Sequence, residues 1–194
     1  MTSKCFSEGK TYIIVITTIS RNYNTGDPLM VSFGAREAAA TGVMAALCFV
    51  ATYSIMIPIP ATSGYFNVGD VFVIISGLVF GPLVGGLAGG IGSALSDLVG
   101  GYSFFVPFTL IIKGCEGLVA GYVGGRLATA KLNRIILAWA LGGLCVVMGY
   151  FVVETVFFGM SAALVEVPVN LLQVVVAGVV GVPVSKALKT RIKL

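Results

Sequence analysis

Long apolar segments alternate with short connections rich in glycine and proline over most of this chain. Six such segments lie at about residues 35–57, 68–80, 87–99, 108–127, 135–158 and 162–184. A helix needs about 20 apolar residues to cross a bilayer, and the second and third segments are short by that measure. A loop is predicted at 58–67, where two prolines end the first helix, and turns are predicted at 81–86 and 100–107. The pattern predicts an all-α integral membrane protein with six transmembrane helices.

Residues 1–34 do not fit this pattern. The apolar run at 12–19 is too short to span a bilayer. Two lysines precede it, as in a signal peptide, but no A-x-A-like cleavage site follows. We interpret 1–34 as an N-terminal extension, either disordered or the result of a start codon placed upstream of Met30. We interpret 35–194 as a single six-helix membrane domain.

Composition and charge support a membrane protein and orient it. Charged residues make up 10% of the 194 residues, whereas soluble domains contain about 25%. Lys and Arg accumulate in the cytoplasmic loops of membrane proteins. With both termini in the cytoplasm, Arg36, the basic cluster at 126–134 and the C-terminal basic cluster lie inside. The connections at 58–67, 100–107 and 159–162 then lie outside and carry no Lys or Arg. We predict a multi-pass protein of the plasma membrane.

Polar side chains in these apolar helices concentrate in the outer half of the membrane. Ionisable groups in such positions are energetically expensive and usually functional. The candidate substrate-binding polar residues are Asn67, Asp70, Asp97, Lys113, Glu116, Glu154 and Asn170. Glu166 and Gln173 fall in the same half, and Lys113 and Glu116 share one helical face because they are three residues apart.

Aromatic residues crowd the same end, among them Tyr65, Phe66, Phe105 and Tyr150. A concave site with aromatic walls and a few placed polar groups suits a small planar ligand. Tyr65, Phe66 and Phe105 are the candidates for covering its ring. Two alternatives stay open: the charged residues pair only to hold helices together, and the aromatic residues form an interfacial belt.

Small residues recur along the start of the first predicted helix. They are Ala35, Ala38, Ala39, Gly42 and Ala46. Their spacing places them on adjacent ridges of the helix, where small side chains let another helix approach closely. We predict a partner-docking face here, and ordinary packing within the same bundle is the alternative.

The residue types needed for catalysis are scarce. Histidine is absent, which removes the commonest general base and zinc ligand. The four cysteines show no C-x-x-C spacing, and the sequence has no Walker A motif, no D-x-x-D metal signature and no G-x-S-x-G elbow. We therefore expect no enzyme, no cofactor, no metal site and no nucleic-acid partner, and any ATP must be used by partner subunits.

Three stretches resemble a known family. They are FNVGD at 66–70, LVFGPLVGGLAGGIGSALSDLVGGY at 78–102 and PFTLIIKGCEGLVAG at 107–121. Together with the six-span layout, they are similar to the substrate-binding S components of energy-coupling factor (ECF) vitamin transporters. Residues 1–34 lie outside the resemblance.

The resemblance implies a six-helix bundle that captures a vitamin or vitamin precursor from outside the cell. It also implies a transmembrane T component and two ATPase subunits as partners, with small residues of the first helix contacting the T component. The subgroup most similar to this chain is that of riboflavin or pyrimidine- and pyridine-type vitamins. In such a site, Lys113 and Glu116 would bond a polar edge of the ligand.

Other functions are compatible with the composition. A stand-alone transporter or channel for a small solute would need no ATPase module. An intramembrane enzyme is disfavoured by the missing motifs. A purely structural membrane subunit would leave the one-sided polar cluster without a role.

Overall fold

A computed structural model describes residues 34–125 and 131–191 of the chain, without the side chains of 189–191. The described residues form six α-helices and one two-stranded antiparallel hairpin. In chain order the elements are α1 (Ala35–Ser54), β1 (Ile57–Ile59), β2 (Gly64–Phe66), α2 (Asp70–Phe80), α3 (Pro82–Gly100), α4 (Val106–Gly124), α5 (Leu132–Phe158) and α6 (Met160–Arg191). The predicted extension falls almost entirely outside the described residues and stays a prediction.

The helical prediction is confirmed, with a small exception between α1 and α2. The predicted loop contains the hairpin, in which Ile57 pairs with Phe66 and Ile59 with Gly64. Five of the helices are long and apolar enough to cross a membrane. With 11 residues, α2 is about 16 Å long, which is short of the roughly 30 Å hydrocarbon core.

The predicted turn at 81–86 is wrong. The chain reverses at a single residue, Gly81, whose φ of 96° lies in a region that favours glycine. Helix α3 begins at the next residue, because Pro82 at the first helical position needs no backbone partner. The predicted turn at 100–107 is also shorter than expected, since α4 begins at Val106.

Glycines let α2, α3 and α4 pack with their backbones almost in contact. A Cβ atom added at Gly85 would lie 2.5 Å from Gly77 Cα and 2.6 Å from the carbonyl oxygen of Gly117. A Cβ atom added at Gly117 would lie 2.1 Å from the carbonyl oxygen of Gly85. This close approach of three helices builds the rigid centre of the bundle, which supports the polar cluster at one end.

Replacing Gly117 with alanine is therefore expected to destabilise the protein by about 1–3 kcal/mol or more, because the added methyl group meets backbone that cannot yield. Thermal unfolding in detergent measures the effect. The matched control is Gly42→Ala on α1, where an added Cβ has no atom within 4 Å. Equal unfolding temperatures for the two variants would contradict the tight packing.

Successive helices run in opposite directions, so that three connections lie together at one end of the bundle. Gly100 lies against Met56, the Tyr65 and Tyr102 rings have centroids 4.4 Å apart, and Phe104 contacts Phe157. Apart from the buried Lys113, the basic residues whose side chains are described lie at the opposite end: Arg36, Lys131, Arg134 and Lys186. The positive-inside rule assigns that basic end to the cytoplasm and the hairpin end to the outside.

Candidate functional site

A cavity of about 30 Å³ lies beneath the hairpin, in the outer half of the bundle. Its walls come from α1, β2, α3, α4, α5 and α6. The lining residues are Thr52, Gly64, Tyr65, Asn67, Ser93, Asp97, Phe105, Thr109, Lys113, Tyr150, Glu154, Glu166, Asn170 and Gln173. All the helices except the short α2 thus supply side chains to one polar chamber.

Lys113 forms the floor of this cavity. Its ammonium group donates to Asp70 Oδ1, and the second oxygen of Asp70 accepts a hydrogen bond of 2.9 Å from Gln173 Nε2. Glu116 Oε2 lies 3.6 Å from Lys113 Nζ on the deep side. Both carboxyl groups and the ammonium group are almost completely buried, so the ion pair is held away from solvent.

The loop before α2 is tied to the same floor. The backbone N–H of Asn67 donates to Gln173 Oε1 at 3.1 Å, and the Asn67 side chain accepts from the Gly69 N–H at 2.9 Å. On the α4 wall, the Thr109 and Tyr150 hydroxyl groups are 2.9 Å apart. The Tyr150 ring lies over Lys113, with Nζ 5.6 Å from the ring centroid, which adds a cation–π contact.

The hairpin is pinned over the cavity at two points. Tyr65 of β2 donates its phenolic proton to Asp97 of α3, and Thr62 at the hairpin turn donates to Glu166 of α6. Burial, followed by the neighbouring Asp97 carboxylate, raises the pKa of Tyr65. The phenol therefore remains protonated and keeps donating to Asp97 over the physiological pH range.

Several buried polar atoms around the cavity have no hydrogen-bond partner among the described residues. They are Thr52 Oγ1, Ser93 Oγ, Asp97 Oδ2 and Glu154 Oε2. A buried polar group without a partner costs about 1–3 kcal/mol. Four such groups surround one chamber.

Comparison with known proteins assigns this chain to a family. The sequence profile of the ECF-type riboflavin transporter S component family matches residues 32–190, which cover all six helices except the last residue of α6. The chain belongs to this S component family. It is thus a multi-pass protein of the cell membrane and a transporter subunit rather than an enzyme.

Three relatives illustrate the range of similarity. An uncharacterized protein in the gap 3′ region of Pyrococcus woesei is 42% identical over 74% of this chain and 95% of its own length. The thiamine precursor transporter HmpT of Lactococcus lactis is 28% identical over 76% of this chain and 84% of its own length. A UPF0397 protein of Lactiplantibacillus plantarum is 36% identical over 54% of each chain.

Most of the residues predicted from the sequence line the cavity of this S component. They are Asn67, Asp97, Lys113, Glu154, Asn170, Tyr65 and Phe105. Asp70 and Glu116 do not line it but lie behind Lys113 as its charge partners. Phe66 is absent from the lining, so its predicted place on the ring of the ligand is not supported by the geometry.

The alternative that the charged residues pair only to hold helices together accounts for part of the polar cluster. Lys113 does pair with Asp70 and Glu116. Asp97 does not join that network: it accepts from Tyr65 and keeps one oxygen without a partner among the described residues. The S component therefore holds an ion-paired floor and a separate, unsatisfied acidic wall.

Sequence reasoning missed four lining residues: Thr52, Gly64, Ser93 and Thr109. The helical spacing could have indicated two of them as site residues. Ser93 is four residues before Asp97 and Thr109 is four residues before Lys113, so each shares a face with a predicted site residue. Gly64 had no such signal, because its place depends on the hairpin.

A second, aromatic cavity of about 340 Å³ adjoins the first at the outer surface. It is lined by Ser63, Gly101, Tyr102, Phe104, Phe105, Phe157 and Phe158. The Phe104 ring packs edge-on against Phe105 and Phe157, with centroids 5.2 and 5.1 Å apart. Phe105 lines both cavities and therefore lies between the polar chamber and the aromatic one.

The small residues of α1 face outward. Ala35, Ala38, Ala39, Gly42 and Ala46 are all exposed, while Met44, Cys48 and Thr52 form the buried face of the helix. The alternative that the small residues pack within the bundle is therefore wrong for the described part of the chain. We call these five residues the small-residue face.

Proposed function

We propose that this chain is the substrate-capture subunit of an ATP-driven ECF importer and binds a vitamin or vitamin precursor in the outer cavity. The observation that carries the proposal is the set of buried, unpartnered polar atoms around that cavity. A ligand that bonds Thr52, Ser93, Asp97 and Glu154 would remove the cost of leaving these groups unsatisfied.

The two cavities together suit a ligand with a flat ring. Ligand pockets usually enclose about 300–1,000 Å³, so the polar chamber of about 30 Å³ is closed to a vitamin. A rotation of Phe105, or a movement of the hairpin, would join it to the aromatic cavity. The candidate ligands are riboflavin, after which the matched family is named, and a thiamine precursor, which the HmpT relative is named for transporting.

Transport requires partners in this proposal. The sequence contains no Walker A motif, so two ATPase subunits would supply the energy and a transmembrane T component would couple them to the chain. The small-residue face of α1 is exposed over about three turns and would let a T-component helix approach closely.

The test begins with the ligand itself. Freshly purified protein is denatured, and the released small molecules are identified by mass spectrometry and absorbance. We expect a vitamin-like compound in about one-to-one ratio with the protein. A thermal-shift panel of vitamins identifies the ligand if it is lost during purification.

Uptake of that compound is then measured in liposomes. We expect no uptake by the chain alone and ATP-dependent uptake after a T component and two ATPase subunits are added. Uptake by the chain alone would establish the alternative, a stand-alone transporter. Absence of any bound compound in both assays would contradict a substrate-capture subunit.

A further inference from the structure

Glu116 is a buried ionisable group that the proposed function does not use. It lines neither cavity, its side chain is 0% exposed, and neither of its carboxyl oxygens has a hydrogen-bond partner among the described residues. Its Oε2 lies 3.6 Å from Lys113 Nζ, which is close enough for an ion pair but longer than an ordinary N–H···O hydrogen bond. The charge state of Glu116 therefore depends on the charges around it.

The charged and titratable groups that face Glu116 come from four helices. They are Asp70 of α2, Lys113 of α4, and the thiols of Cys48 on α1 and Cys145 on α5. The acidic side chains of α3 and α6, Asp97 and Glu166, are engaged by the hairpin instead. Thiols carry no charge at neutral pH. Among the described residues, Lys113 is therefore the only cation that faces the two buried carboxyl groups.

The hydrogen bonds identify Asp70 as the ionised one of these two carboxyl groups. Asp70 accepts from Lys113 at one oxygen and from Gln173 at the other, as a carboxylate does. One ammonium group neutralises one carboxylate. A second carboxylate at Glu116 would be buried without compensation beside a like charge, and a carboxyl group in such a place takes up a proton instead. A proton on Glu116 leaves the floor of the cavity neutral.

We infer that Glu116 is a buried proton-binding site, which carries a proton at neutral pH while Lys113 pairs with Asp70 and ionises when Asp70 cannot serve as that partner. The inference goes beyond the proposed function and does not depend on it, because no ligand takes part. An ionised Glu116 would compete for the ammonium group from the deep side, whereas a neutral Glu116 leaves Lys113 on Asp70. Glu116 is thus a positioning residue for the lysine that lines the cavity.

Infrared difference spectroscopy of the purified full-length chain tests the inference, because a protonated carboxyl group has a C=O stretching band that a carboxylate lacks. Glu116→Gln should remove one such band from the spectrum at neutral pH. Asp70→Asn should remove the same band although Glu116 is still present, since Glu116 then ionises to pair with Lys113. The control is Glu37→Gln, which makes a carboxyl-to-amide change at the start of α1 and should leave the band in place.

Denaturant unfolding in detergent at several pH values gives a second readout. A folded chain that holds one proton more than the unfolded chain becomes less stable as the pH rises, by about tenfold in the unfolding equilibrium constant for each pH unit. Between about pH 5 and about pH 8, the wild-type chain should therefore lose stability more steeply than Glu116→Gln by this factor. All other titrating groups are common to the two chains, so the difference between their slopes isolates Glu116.

Each alternative outcome contradicts the inference. A protonated-carboxyl band that survives in Glu116→Gln, or in Asp70→Asn, would overturn it, and so would equal pH slopes for the wild-type chain and Glu116→Gln. Failure of Glu116→Gln to fold would also overturn it, because glutamine reproduces the shape and neutrality of a protonated glutamate. Since neither measurement uses a ligand, a failure to bind any vitamin would contradict the proposed function alone.

Discussion

Replacement of Lys113 by methionine is expected to lower the free energy of unfolding by about 3–5 kcal/mol, the usual effect of removing one partner from a buried ion pair. Methionine keeps the length and apolar stem of lysine but carries no charge. Asp70 and Glu116 would then be buried without their cation, although Asp70 would keep its hydrogen bond from Gln173. Denaturant or thermal unfolding in detergent measures the loss.

A second substitution separates charge from packing. If the loss arises from the uncompensated carboxylate, the double variant Lys113→Met with Asp70→Asn should be more stable than Lys113→Met alone. Asp70→Asn alone should cost less than Lys113→Met, because Lys113 then retains Glu116 at 3.6 Å. Wild-type stability in Lys113→Met would show that the ion pair contributes nothing to the fold.

Lys113 and its two charge partners differ in their position relative to the cavity. Lys113 lines the cavity, whereas Asp70 and Glu116 lie behind it. The floor of the cavity is therefore a charged group oriented by two partners that do not line the cavity.

The helices were predictable because length and apolar composition determine what can cross a bilayer. The turn at 81–86 was mispredicted for a physical reason. The local preference of Gly85 and Gly86 predicts a turn. In the structure both residues are helical, because α2 and α4 pack directly against them. Tertiary contact overrides local preference in this segment, and a sequence without its partners cannot display that contact.

The candidate site was predictable where charge is conspicuous. Asp97, Lys113 and Glu154 are ionisable groups in apolar segments, and all line the cavity. Hydroxyl groups such as those of Thr52 and Ser93 carry no comparable signal, since they are tolerated in membrane helices without a role at a site. Nor does helical spacing tell which of several charged residues faces the cavity, which is why Glu116 was placed in the site rather than behind it.

The hairpin explains the remaining difference between prediction and structure. Pro58 and Pro60 predicted a loop, yet Pro58 lies in β1 opposite Tyr65. This pairing places Tyr65 against Asp97 and Thr62 against Glu166. Tyr65 and Asp97 are separated by 32 positions in the sequence, and Thr62 and Glu166 by 104. Nothing local in the sequence therefore indicates these two contacts.

Replacement of Ala39 and Gly42 by leucine is expected to abolish ATP-dependent uptake while leaving the Kd for the ligand unchanged. Both residues are exposed on the small-residue face, and an added Cβ at Gly42 meets no atom within 4 Å. Larger side chains there would not disturb the bundle, but they would hold a partner helix away from the α1 backbone. Co-purification with the T component and liposome uptake should therefore fail together, with association at least about tenfold weaker, which corresponds to about 1.4 kcal/mol or more of association free energy.

The matched control for this double variant is Ala140→Leu, a change from a small to a bulky residue at an exposed position of α5. Its assembly and uptake should equal those of the wild-type chain, because it lies on a different helix. Loss of ligand binding with assembly intact would place Ala39 and Gly42 in the support of the cavity rather than at a docking face. Unchanged assembly and uptake would leave α1 facing lipid, and the T component would then have to dock on another surface. Thr52 lies on the buried face of α1 and lines the cavity, whereas the small-residue face lies on the exposed side of the same helix. Substitutions on opposite faces of α1 can therefore separate the two proposed functions, which are substrate capture at the outer end and coupling to the T component.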